Sequence, residues 1–413
     1  MIRWPTRWPR RASLMVVGGV LVVGAAAGVY LGTHSFQSQV SAHGQPQGSG
    51  AQAPSSAQGS GLQLTFNPTN GATAVPLDAP ITVSASGGHL DTVEVTGPQG
   101  QPVAGALGSG DQTWSSAPGP LAPLTSYTVL VTGRTSSGKT VQQRASFTTL
   151  QPVATLTDDI EPTSGTVGVG MPIVVKFNQP VADKAAVQRA LNVQMSAPVL
   201  GAWNWISSKE VRYRPQAYWP TGEHVTLASN LAGVNAGNGI WGGTNRSVGF
   251  TVGDVHISTV DIAAHSMTVT NNGAVVQTFK DSAGRDKYPT MGGVHVVLAK
   301  EPDVVMDSQS VGIPRNSPDG YYEHVAEDVN ISDGGEFVHS APWSVGAQGN
   351  SNVSHGCVNL APNDATWFYN FSQRGDIVKI VNSPRPPELG DSGTIDWNTP
   401  WDKWVAGSAL PVT

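Results

Sequence analysis

The feature that most limits what this chain can fold into is an internal repeat. Asn67-Pro68-Thr69-Asn70-Gly71 precedes Ala79-Pro80-Ile81-Thr82-Val83, and about 94 residues later Glu161-Pro162-Thr163-Ser164-Gly165 precedes Met171-Pro172-Ile173-Val174-Val175. Each copy closes on a Phe-Thr pair, Phe147-Thr148 and Phe250-Thr251. Between these landmarks, runs such as Tyr127-Thr128-Val129-Leu130-Val131 read as strands, and pairs such as Ser137-Gly138 mark turns. A recurring unit of ~90 to 100 residues built this way buries a core by packing sheet on sheet. The 48 glycines, 30 prolines and 13% charged residues fit turn-rich β-domains and not helical bundles. With a single cysteine no internal disulfide can form, so the cores rest on packing, and Trp114, Trp203 and Trp205 are expected there.

The N-terminal region predicts export. Arg3, Arg7, Arg10 and Arg11 precede an uncharged run from Leu14 to Leu31, and the first acidic residue is Asp78. At about 1.5 Å per residue that run is roughly one bilayer crossing, with the basic end inside and the rest of the chain outside. Two fates stay open: a retained anchor in the inner membrane, or a signal peptide cleaved near Ala25-Ala26-Ala27-Gly28. No cysteine lies nearby, which excludes a lipid-anchored lipoprotein. The Ser-, Gln-, Gly- and Ala-rich stretch that follows cannot bury a core and reads as a tether. A net charge of −6, with no basic run beyond the N-terminus, excludes nucleic acid as a partner.

The expected architecture is mainly β. It comprises a basic segment with anchor or signal (1–35), a flexible linker (36–61), two immunoglobulin-like β-sandwiches (62–150 and 151–253), a β-rich third domain (254–381) and a tail (382–413). In the third domain, Asn271-Asn272-Gly273 signals a hairpin. Val294–Ala299 reads as a strand, and Pro302–His324 as a lid or binding loop between strands. A short helix capped by Asn363 or Asp364, with Trp367, Phe368 and Phe371 facing inward, should end at Gly375 before a last buried strand, Ile377–Val381. Trp397, Trp401 and Trp404 in the tail are expected to pack back on the body across a domain junction.

Chemistry concentrates at Ser354-His355-Gly356-Cys357-Val358-Asn359, which holds the only thiol of the chain. An exported protein with one cysteine carries either a nucleophile or an inert buried thiol. The preceding glycine, which lets a substrate approach, and the nearby His339 and His355 favour the nucleophile. A thiol of pKa ~8.5 needs a base or a cationic neighbour to react near neutrality. Zinc ligation by His324, His339, His355 and Cys357 fails on spacing, and no metal or cofactor is expected.

Glu336-Phe337-Val338-His339-Ser340, then 14 residues after His339, then Ser354-His355-Gly356-Cys357-Val358-Asn359, resembles the signature of the L,D-transpeptidase catalytic domain. The resemblance covers about residues 254–381, and the two repeats resemble the modules of actinobacterial members. It implies Cys357 as nucleophile, His339 as base, the Ser340 backbone carbonyl as the group that orients His339, and the amides of Gly356 and Cys357 as an oxyanion hole. His355 is implied to act at the same site, by fixing the loop or by direct participation. Tyr321 is implied to line the oxyanion hole, Met306 and Trp343 to wall the pocket, and Ser354 and Asn359 to hold the loop or touch substrate. The implied partners are peptidoglycan stem tetrapeptides as donor and acceptor, joined by 3→3 cross-links, and carbapenem inhibitors. Water as acceptor would make the protein an L,D-carboxypeptidase, and a protein acceptor an attachment enzyme. A non-catalytic cell-wall scaffold is the reading from another class.

Overall fold

The computed structural model describes residues 61–412; the basic segment, the anchor or signal, and nearly all of the linker lie outside the described residues. Among the described residues no helix is long and apolar enough to cross a membrane.

The repeat is visible as two sandwiches built on one plan. In the first, Gln63–Asn67 pairs antiparallel with Thr82–Ser86, and in the second Asp158–Glu161 pairs with Ile173–Phe177. The short strands Ala72–Val75 and Thr166–Val167 each run parallel to the closing strand of their copy, Thr140–Thr149 and Asn245–Val252. Asn67-Pro68 and Glu161-Pro162, at the head of the two copies, are both cis. Strand Ser126–Thr135 shows why these sequences form sheets: its buried and half-exposed residues alternate, so one face meets the opposing sheet. Trp114, Trp203 and Trp205 are buried in the two cores.

The third domain contains two sheets. One is ordered Ala274–Lys280, Ser266–Asn271, His256–Asp261, Ile377–Val381, Gly293–Val296. The other is ordered Ala299–Asp307, Tyr322–Asn330, Phe337–Ser340, Val358–Leu360. Asn272 and Gly273, at φ 49 and 85, form the expected two-residue hairpin turn. Both sheets contribute to one core with Phe368 of the helix, including Val329, Val338, Val358 and Leu360.

Three local expectations are corrected. The segment 302–324 is not all loop: strands reach Asp307 and restart at Tyr322, pairing Met306 with Glu323, so only the tip between them is irregular. Pro302 sits within the strand, and the ladder register steps over it, as expected for a residue with no N–H to donate. Val294–Ala299 is broken, because the chain leaves one sheet at Val296 and enters the other at Ala299. The helix runs Pro362–Phe371 with proline in its first turn and no side-chain cap, so Asn363 and Asp364 lie inside it. Phe368 is buried, whereas Trp367 and Phe371 are half-buried and stack on each other at 4.7 Å.

The tail ties the second sandwich to the third domain. Trp404 is fully buried and donates its indole N–H to the Ala202 carbonyl at 2.9 Å, while Trp397 donates to Gly170 at 2.8 Å. Asn398 bonds the backbone of Val294 through both ends of its amide. The Arg214 guanidinium lies 4.8, 5.2 and 4.7 Å from the rings of Trp397, Trp401 and Trp404.

Candidate active site

The second sheet of the third domain fixes His339 and Cys357 side by side. Phe337–Ser340 runs parallel to Val358–Leu360 with His339 opposite Asn359, and Cys357 is the residue before that strand. Val338 and Val358 face the core, so alternation turns His339, Cys357 and Asn359 to the other face. There they line a cavity of about 240 Å³ with Met306, Tyr321, Glu323, Trp343, Val353, Ser354 and His355. Ser340 and Gly356 do not line it. A larger recess of about 540 Å³ in the first sandwich is lined by Gly, Pro, Ala, Val, Leu, Gln and hydroxyl side chains, with no thiol, imidazole or carboxylate.

His339 is buried and its Nδ1 lies 2.9 Å from the Ser340 carbonyl oxygen. A carbonyl can only accept, so Nδ1 carries the proton and Nε2 is left as the basic nitrogen. Burial pushes the imidazole down to about 4, against the pull of the Ser340 bond. Burial likewise pushes the Cys357 thiol up to about 12; the Phe337 N–H opposes this, and the Glu336 and Asp328 carboxylates add to it. The thiol points at the Gly335 carbonyl, 3.8 Å away. Both shifts favour the uncharged forms, a neutral thiol beside a neutral imidazole.

The loop that carries Cys357 is held from within. Ser354 Oγ donates to the Cys357 carbonyl at 2.6 Å and accepts the Gly356 N–H at 3.1 Å. That second bond runs against the expectation of a Gly356 amide free for an oxyanion: the amide is engaged inside the turn. Gly356 has φ 131, and a Cβ there would come within 3.2 Å of Glu336 Oε1, so only glycine fits. Asn359 Nδ2 donates to Ser344 Oγ at 3.1 Å, while its buried Oδ1 has no partner among the described residues. His355 stands against Tyr321 and Tyr288, with ring centroids 4.9 and 5.0 Å apart, and its Nε2 accepts from Arg285 Nη2 at 2.7 Å. Its Nε2 is thereby occupied, and the ring bridges Arg285 and the two tyrosines. Trp343 stands with its ring 6.1 Å from that of His339, and burial pushes the Tyr321 phenol up to about 12.

Six site-supporting residues were given no role from sequence. Arg285 and Lys287 both pair with Asp319, which also accepts from the Tyr288 hydroxyl at 3.1 Å, so the lid tip is pinned beside His355. Glu336 lies behind Gly356, where it accepts the Met291 amide at 3.0 Å and Arg385 Nη1 at 2.7 Å. Burial pushes its carboxyl up to about 7, against the Met291 bond and Arg385. The one available signal was an acid directly beside Phe337-Val338-His339. Nothing in sequence tied it to Arg385. Among the described residues no three of His, Cys, Asp and Glu converge as a metal site would.

Two β-sandwiches are followed by a third domain that brings a cysteine and a buried histidine into one cleft, and known proteins share this arrangement. Residues 72–235 match the bacterial Ig domain family and residues 256–380 match the L,D-transpeptidase catalytic domain family. The chain is 40% identical over 348 residues to L,D-transpeptidase 2 of Mycobacterium tuberculosis strain CDC 1551 / Oshkosh, covering 84% of this chain and 85% of that protein. It is 35% identical over 359 residues to L,D-transpeptidase 5 of Mycobacterium tuberculosis strain H37Rv, covering 84% of this chain and 77% of that protein. A solved LD transpeptidase in complex with imipenem is 38% identical, with a TM-score of 0.49, over 56% of this chain and 100% of its own. The chain belongs to the L,D-transpeptidase family, a family of transferases.

Proposed function

We propose that this protein forms 3→3 cross-links between peptidoglycan stem peptides through a thioester on Cys357. The observation that carries the reading is the Cys357 and His339 pair in one cleft, with His339 Nδ1 tied to the Ser340 carbonyl and Nε2 left basic. Cys357 Sγ attacks the carbonyl of the third stem residue and its proton passes to His339 Nε2. The oxyanion is held by the Cys357 amide, with the Tyr321 hydroxyl beside it. Collapse breaks the peptide bond, and His339 returns the proton to the leaving D-Ala amine. The side-chain amine of a diaminopimelate on a second stem then attacks the thioester. Carbapenems present a carbonyl like that of the donor and are expected to trap Cys357 in the same way.

The protein is further proposed to act outside the cytoplasmic membrane, held there by residues 14–31 or released from them, with the sandwiches carrying the site into the wall. Incubation with purified disaccharide-tetrapeptide tests the reading. Release of D-Ala together with a cross-linked dimer supports it. Release of D-Ala with monomer alone would make the protein a carboxypeptidase, and no turnover by folded protein would refute acyl transfer to or from this substrate.

A further inference from the structure

The cleft is almost uncharged, and the exception points at the second substrate. His339 is held neutral, burial and the neighbouring Arg285 push the His355 imidazole down, the Cys357 thiol and Tyr321 phenol are pushed up, and Met306, Trp343, Val353, Ser354 and Asn359 carry no charge. Glu323 is the remaining lining residue with a carboxylate, and it is exposed at the mouth. Strand alternation explains its direction: Tyr321 and Glu323 share the face turned to the cleft, directly across from Met306, while His324 turns outward and lies near Asp303. Other rim charges already have partners: Arg315 sits on Asp307, and Arg285 and Lys287 share Asp319, one positive charge in excess on the His355 side of the cleft. Glu323 has no cationic partner among the described residues, although long basic side chains lie around the same lid.

We infer that Glu323 docks the cationic amine of the acceptor, and thereby favours transfer to ammonium-bearing nucleophiles over water or neutral ones. This rests on the reading of the cleft as an acyl-transfer site. The ammonium first sits against the Glu323 carboxylate and loses one proton to solvent. The neutral nitrogen then attacks the thioester carbon, a C–N bond forms as the C–S bond breaks, and the second N–H proton passes through His339 to the sulfur. A carboxylate at the entrance raises the local concentration of cations and aligns the amine, without serving as the proton acceptor of the chemical step.

The test is a competition within one reaction, so that any change in acylation cancels. Full-length protein with disaccharide-tetrapeptide donor is offered a stem peptide bearing a free side-chain amine and, together with it, hydroxylamine, which is uncharged near neutral pH. The amide-to-hydroxamate product ratio is read by mass spectrometry. Glu323→Gln is expected to lower that ratio about fivefold, the size of a partly exposed charge contact, Glu323→Lys to lower it further, and Glu323→Asp to retain most of it. Added salt should lower the ratio of the unaltered protein and leave that of Glu323→Gln nearly unchanged. An unchanged ratio in Glu323→Gln and Glu323→Lys, with both still folded, overturns the inference and leaves the transpeptidase reading standing. Absence of any acyl transfer by the unaltered protein overturns both.

Discussion

Replacing Asp396 by alanine should loosen the tail from the second sandwich, and the loss can be worked from the structure. Asp396 is fully buried, and its Oδ2 accepts Arg212 Nη1 at 3.0 Å. Arg212 is only 4% exposed, and it also contacts Glu210 at 2.7 Å and Ser392 Oγ at 2.8 Å. Removing one partner of a buried pair costs about 3 to 5 kcal/mol, because the other charge cannot return to water. Arg212 keeps Glu210 and Ser392, so the lower end applies, about 3 kcal/mol. For a body of this size each kcal/mol lowers Tm by about 2 °C, giving a fall of about 6 °C. Tryptophan fluorescence during thermal unfolding is the assay, since Trp203, Trp205, Trp397 and Trp404 all lie in the affected region. The double replacement Arg212→Met with Asp396→Leu should recover part of the loss, because no charge is then left fully buried without a partner; Glu210, which loses Arg212, is 21% exposed and can be hydrated. If Asp396→Ala melts within about 1 °C of the unaltered protein, the pair does not clamp the tail and the reasoning fails.

Three further outcomes follow from the same structure. His339→Ala should keep the fold and slow acylation of Cys357 by a carbapenem about 10² to 10⁴-fold; an undiminished rate would show that another group takes the proton. Stability should be higher near pH 5.5 than near pH 8. Asp281 and Asp328 are fully buried, with both carboxylate oxygens unpartnered, and burial pushes each up to about 7. Their contribution is complete below the ordinary carboxylate pKa and is lost as pH rises through about 7, whereas His339, pushed down, acts in the opposite sense below about 6.5. Asp281→Asn should therefore raise Tm at pH 8 and flatten the profile, and a Tm that rises from pH 5.5 to 8 would contradict this. A chain starting at residue 151, without the first sandwich, should still react at Cys357 in solution. Loss of that reactivity in folded protein would mean that the first sandwich shapes the cleft.

What was legible in the sequence was local or repeated. The recurrence from Asn67 to Glu161, the Asn272-Gly273 turn and the period-two strands all appear in the fold, because each is a preference of neighbouring residues. The grouping of His339 with Cys357 was legible through a motif of fixed spacing. The rest depends on pairings between distant parts of the chain. Glu336 meets Arg385, and Arg212 meets Asp396, only because the tail folds across two domains. The lid hairpin was hidden because Pro302 and the Gly- and Ser-rich tip outweigh a weakly alternating strand, whose pairing with Tyr322–Asn330 supplies its stability. The bond on the Gly356 amide was hidden for a similar reason: a serine two residues back competes for it, which only the turn's geometry reveals.

If Cys357 is the acylated nucleophile, a carbapenem must mark it and no other residue. The purified protein is incubated with a carbapenem, its intact mass is recorded, and the modified peptide is then mapped. A single added equivalent is expected on Cys357, none in Cys357→Ala, and slow addition in His339→Ala. A folded protein that takes up no equivalent, or takes it up equally in Cys357→Ala, would contradict it.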